Sequence, residues 1–273
     1  MTGLYQATTD VTGRTDLPQW ERDQFIGPSF LSYIKFCKKW GYKAQASPIA
    51  SGTVLRNYCQ TGTGVTINGT PTYSGGMMVL SSTSTIGLLG NEWKLASTVS
   101  WFAVGGFFKI PMSGYTVSGT GTGSSFIIGW TQTNGGNTQY GIRINYNKAT
   151  GVASNVYLSM NAVQVDITSV IPTDGAAHQY AAEMQKITDT TFLIKFYVDA
   201  ALVYTSSAQT WSGSLVVPGG GAPMLGPYYA AAATDEKGAI GEAWIWNVGA
   251  STKYSDVISF LKLNYAAYAS RYS

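Results

Sequence analysis

At 273 residues the chain is long enough to bury a sizeable core, as one large domain or two small ones. Only 11% of its residues are charged, 17 basic against 14 acidic, and the net charge of +3 lacks the clustered cations that binding to nucleic-acid phosphates requires. Its 32 Gly, 18 Tyr and 45% hydrophobic content exclude a disordered chain and suit many turns between half-buried strands.

Residues 1–10 show no basic region followed by an apolar run, so no secretory signal is read there. No stretch reaches the ~20 apolar residues of a membrane span, and no membrane insertion is expected. Asp16-Leu17-Pro18 reads as a helix start, with Asp16 as N-cap and Pro18 where a missing N–H costs nothing. That helix runs to Phe25 and is interrupted by Gly27-Pro28. A second helix is predicted over residues 29–40, with Phe30, Tyr33, Ile34 and Cys37 on one stripe and Gly41 as its stop. Lys35, Lys38, Lys39 and Lys43 then fall on a solvated face. Cys37 and Cys59 can form one bridge or remain two thiols, the latter expected of a protein made in a reducing cytosol.

From Val65 the period changes to two. Tyr140, Ile142, Ile144 and Tyr146 alternate with Gly141, Arg143, Asn145 and Asn147, giving one apolar and one polar face. Val156, Leu158 and Met160 repeat the pattern, as do Phe192, Ile194, Phe196 and Val198. Turn clusters separate these runs at 113–114, 119–123, 134–137, 173–175 and 219–221. Short strands without helix-length gaps predict an all-β fold, an antiparallel sandwich, because a parallel sheet would need crossover helices. At the C-terminus, Ser255 or Asp256 caps a predicted helix with Val257, Phe260, Leu261, Asn264, Tyr265 and Tyr268 near one stripe. Its apolar stripe needs a surface, either its own sandwich or a neighbouring subunit. The expected organisation is a helical docking or oligomerisation segment at 1–60, the sandwich at 61–250 and an amphipathic helix at 251–273.

Three stretches resemble laminin-G-type lectin domains of the concanavalin A-like group. Asp174-Gly175-Ala176-Ala177-His178 is similar to the D-G-x-W-H turn and strand. Phe196-Tyr197-Val198-Asp199 followed by Leu202-Val203 resembles the paired strands around Y-V-D-G. The run Gly238-Ala239-Ile240-Gly241-Glu242-Ala243-Trp244-Ile245-Trp246-Asn247 is similar to the closing strand F-x-G-x-I-D-E-V-x-I-x-N, and residues 98–109 resemble an early core strand. The resemblance covers about two-thirds of the chain and implies a jelly-roll sandwich. Ala177 stands where the family has Trp, Ala200 where it has the turn Gly, and Gly241 where many members carry an acid. The family's calcium-binding acids do not map onto this sequence, so neither a metal site nor any other cofactor is expected.

Catalysis finds little footing. Retaining glucanases on this fold use two carboxylates about 5–5.5 Å apart, which on a strand reads E-x-D-x-E. No such triplet occurs; Asp235-Glu236 is a turn pair and Glu242 stands alone in its strand. The single histidine, His178, reads as a hydrogen-bonded structural residue, since a triad or zinc site needs further partners. The glycine-rich run 119–123 lacks the Lys and helix of a phosphate loop. The reading is therefore non-enzymatic. Sugar binding by loop aromatics beside amides is expected at Trp130 with Asn134 and Asn137, at Trp211, and at Tyr228 with Tyr229, the alternative being that these rings close the sandwich or an interface.

A lectin-like chain without a visible signal or disulfide framework suits a phage virion protein, made in the host cytoplasm and released by lysis. The expected role is an appendage adhesin for host glycans, docked to other virion proteins through the N-terminal helices and self-associating as a homo-oligomer. The alternatives are a decoration or cement protein that binds no sugar, and a bacterial carbohydrate-binding module.

Overall fold

The computed structural model describes residues 26–36, 39–40, 43–44, 47–59, 64–79, 90–115, 119–128, 139–216, 223 and 238–272. Among them lie seventeen strands: β1 Phe30–Lys35, β2 Lys39–Trp40, β3 Lys43–Ala44, β4 Val54–Leu55, β5 Val65–Thr66, β6 Tyr73–Ser74, β7 Met77–Val79, β8 Trp101–Lys109 and β9 Thr122–Ile128. Then follow β10 Tyr140–Asn147, β11 Val152–Met160, β12 Val163–Asp166, β13 Ala177–Lys186, β14 Thr191–Val198, β15 Ala201–Thr205, β16 Gln209–Thr210 and β17 Ala239–Trp246, and finally helix α1, Val257–Tyr268.

The main sheet runs β15-β14-β13-β8-β17-β7-β6, with β1 also on β17 and β16 on β14. A second sheet, β12-β11-β10-β9, faces it, and every pairing among the described residues is antiparallel. The period-two alternation builds the core between them. Phe102, Val104, Phe108, Tyr180, Met184, Ile194 and Phe196 meet Tyr140, Ile142, Ile144, Val156, Leu158 and Met160 in one cluster. The expected sandwich is the fold observed.

The main sheet is apolar on its other face as well. Trp244, Trp246, Ala103 and Ala181 point outward and are covered by Val257, Phe260 and Leu261 of α1. This explains why β17 is buried at every position, a pattern that alternation alone does not produce. The helix stripe is as the spacing predicts, with Val257, Phe260, Leu261, Asn264 and Tyr268 buried. Its cap is Asp256, whose Oδ1 accepts from the Ser259 backbone N–H at 2.8 Å. The surface it needs is its own sandwich.

The helix expected over 29–40 is corrected to strand β1, which pairs with β17 from Phe30↔Trp246 to Lys35↔Glu242. A register shift between Phe30 and Ser32 breaks the simple alternation. Tyr33 joins the cluster beneath α1 while Ile34 enters the inter-sheet core, so both faces are apolar and the segment mimics a helical stripe. The solvated face for Lys35 is corrected too: its side chain is 1% exposed and pairs with Glu242, which is fully buried rather than isolated. Glu242 also accepts from Tyr33 Oη at 2.6 Å and Asn264 Nδ2 at 2.9 Å. Burial alone would raise its carboxyl, but the Lys35 charge and these hydrogen bonds hold it below its ordinary range. The helix expected at 16–25 and Cys37 lie outside the described residues, and Cys59 is buried.

Two of the family-like departures have local causes. A Cβ at Gly241 would sit 2.4 Å from the Tyr272 ring, so a side chain there competes with the packing of the C-terminus. Asp199 and Ala200, at φ 48° and 61°, form the two-residue turn between β14 and β15, with Ala200 taking the left-handed geometry that glycine adopts more easily.

Candidate functional site

The outer face of the main sheet is only partly covered by α1. Beyond the helix N-terminus, cross-strand register sets polar side chains in a row: Trp101 opposite Gln185, Glu183 opposite Lys195, and Tyr197 opposite Leu202. With Asp256 and Ile258 from the helix start they line a groove of about 330 Å³. That size falls within the range of small-molecule sites.

Glu183 forms its floor at 2% exposure. Its Oε1 accepts from Trp101 Nε1 at 2.7 Å and from Lys195 Nζ at 3.4 Å, and its Oε2 accepts from Tyr197 Oη at 2.5 Å. Lys195 Nζ also donates to Gln185 Oε1 at 3.2 Å. Burial, then the hydrogen bond to Glu183 and the charges of Glu183 and Asp256, push the Tyr197 hydroxyl far above the ordinary tyrosine range, so it acts as a donor. The Ser259 hydroxyl and backbone N–H hold the Asp256 carboxyl below its ordinary value. The groove therefore offers a fixed, half-buried indole, an amide and an ammonium, set around a carboxylate already occupied by three donors. Such a set can bind hydroxyl-rich ligands by ring stacking and hydrogen bonds. A second groove, about 370 Å³, is lined by Met77, Val79, Lys109, Pro111, Ala239 and Tyr272 among others. It is predominantly apolar.

His178 ties two turns together: Nδ1 lies 2.6 Å from Asp199 Oδ2 and Nε2 lies 3.0 Å from Asp174 Oδ1. Asp199 Oδ1 accepts from the Gln179 backbone N–H at 2.9 Å. The histidine thus fastens the entry of β13 to the β14–β15 hairpin, the structural role its isolation suggests.

Of the loop residues expected to hold sugar, Trp130, Asn134, Asn137, Tyr228 and Tyr229 lie outside the described residues. Trp211 is corrected: it is 5% exposed and packs edge-on against Phe192 with centroids 6.1 Å apart, so its ring closes the core and offers no open platform. Sequence reasoning missed the groove. Its signal was the alternation of Gln179, Glu183 and Gln185 with Tyr180, Ala182 and Met184 in β13, where polar residues mark the outer face.

No protein-family model and no curated protein matches the sequence. Solved structures do. A Trypanosoma rangeli sialidase in complex with sialic acid matches with a TM-score of 0.54 at 11% identity, over 90% of this chain and 34% of that one. The binding domain of botulinum neurotoxin DC in complex with rat synaptotagmin II matches at 0.53 and 9%, over 88% of this chain and 51% of that one. A botulinum neurotoxin serotype D/C binding domain matches at 0.51 and 9%, over 88% and 52%. The chain spans about a third of the sialidase and half of the toxin domains. What these likenesses establish is the fold alone, an antiparallel β-sandwich.

Proposed function

We propose that the protein is a non-enzymatic glycan-binding module, an adhesin of a virion surface whose sugar lies in the Trp101 groove. The observation that carries this reading is the Trp101–Glu183–Lys195–Gln185 constellation lining an open groove on the outer sheet face. A sugar ring can stack on the indole while Gln185 and Lys195 bond its hydroxyls. The described carboxylates of the groove are both committed, Glu183 to three donors and Asp256 to the helix cap, which speaks against an acid/base pair. The sialidase complex with sialic acid and the toxin binding domains support a sugar- or receptor-binding role. The likeness of the closing strand to laminin-G-type lectins agrees with it. The virion setting is part of the proposal and rests on the Gly- and Tyr-rich β-structure, a composition that suits an appendage protein.

A glycan array tests the proposal. Oligomeric wild-type protein should bind a restricted set of glycans, and Trp101→Ala should lose them. Loss on Trp130→Ala or Tyr228→Ala, with Trp101→Ala unaffected, would move the site to the loops. Absence of any binding would favour a sugar-free decoration protein, a reading to which edge strand β15 lends weight. Its Leu202 and Val203 are exposed beside uncharged neighbours, as a strand that pairs with another copy would be.

A further inference from the structure

Beneath α1, away from the groove, three polar side chains meet in full burial: Lys35 of β1, Glu242 of β17 and Asn264 of α1. Lys35 Nζ donates to Glu242 Oε2, while Asn264 Nδ2 donates to Oε1 of the same carboxylate at 2.9 Å. Asn264 Oδ1 accepts from Gln179 Nε2 at 2.6 Å. The Lys35 ammonium lies 3.6 Å from the Tyr268 ring centroid, with Tyr33 and Tyr272 at 5.5 and 5.9 Å. An ion pair desolvated this completely is costly to build and is often no more stabilising than apolar packing, so its chemistry calls for an explanation.

We propose that this cluster is an autocatalytic cross-linking site, in which Lys35 Nζ and Asn264 Cγ join in an intramolecular isopeptide bond. The parts of an acyl transfer are present: an amine nucleophile, a carboxamide, a carboxylate touching both nitrogens, and an N–H donor on the carbonyl oxygen. Glu242 takes a proton from the Lys35 ammonium, and the freed lone pair attacks Cγ. The C=O π pair moves onto Oδ1, where Gln179 Nε2–H stabilises the oxyanion. Glu242 passes its proton to Nδ2 and relays a second from Nζ. As the carbonyl re-forms, the Cγ–Nδ2 bond breaks and Nδ2 leaves with the bonding pair as ammonia, which the relayed second proton converts to ammonium. Lysine ammonium and carboxamide thus become amide and ammonium; nothing is oxidised or reduced, and Glu242 is regenerated. The bond fastens β1 to α1 across β17, locking the two ends of the described fold.

Denaturing intact-mass spectrometry of the full chain tests this directly. The expected mass is the sequence mass less one ammonia, and proteolysis should release a branched peptide joining Lys35 to Asn264. Lys35→Arg, Asn264→Ala and Glu242→Gln should each restore the mass calculated from their own sequences. Should a variant fail to fold, the wild-type mass still decides. A wild-type mass equal to that of the sequence, with no branched peptide, would overturn the proposal.

Discussion

Trp101 donates its indole N–H to Glu183 Oε1 at 2.7 Å, and this bond fixes the ring as one wall of the groove. The same carboxylate accepts from Tyr197, so Glu183 organises the floor. Glu183→Ala would leave the Trp101 and Tyr197 donors without their acceptor and the Lys195 charge without its counter-ion. The expected loss is about 2–3 kcal/mol. Glu183→Gln, which keeps an acceptor oxygen, should lose less. Urea denaturation of the two variants measures the difference.

Gly241 is held small by Tyr272. Gly241→Asp, the kind of residue many similar closing strands carry there, would drive a side chain into that ring. Destabilisation of about 2–3 kcal/mol is expected, read as a fall in Tm. If Tyr272→Ala relieves most of the loss, the clash is its cause.

The β14–β15 and β11–β12 hairpins turn on Asp199-Ala200 and Asn161-Ala162, all four at positive φ. Alanine is strained there and glycine is not. Ala200→Gly and Ala162→Gly should each stabilise by about 0.5–1 kcal/mol, the relief of strain exceeding the added freedom of the unfolded chain. Because the turns lie in different sheets, the double variant should show the sum.

His178 gives the fold a pH signature. Burial lowers its imidazole, but the hydrogen bonds and charges of Asp199 and Asp174 outweigh that and hold it above its ordinary 6.5. Its stabilisation is therefore fully present below pH 6.5 and lost as pH rises through the raised folded value. Asp174 is held below its ordinary 3.8, first by the Ala176 backbone N–H and then by His178. That contribution is present above pH 3.8 and lost as pH falls through the lowered value. Thermal melts across this range should show His178→Gln furthest below wild type between the two limits and converging on it above neutral pH.

Much of the architecture was legible in the sequence. Tyr140 to Tyr146 and Phe192 to Val198 declare their strands through simple alternation, since each has one buried face. The cap and stripe of α1 were equally plain. β1 was not, because Tyr33 faces α1 and Ile34 faces the inter-sheet core, and two apolar faces erase the period that marks a strand. The groove was hidden for a related reason. Glu183 and Lys195 are far apart in sequence and become neighbours only through the β13–β14 register. Trp211 was legible as an aromatic residue but not as a buried one, because its cover comes from Phe192 across a hairpin.

The glycan-binding account is tested most directly by an NMR titration of the protein with the glycan an array selects, following the Trp101 indole N–H. The signal should move saturably, together with those of Gln185 and Lys195, and Trp101→Ala should weaken binding at least tenfold, about 1.4 kcal/mol. An indole signal that stays fixed while glycan binds elsewhere would contradict the account.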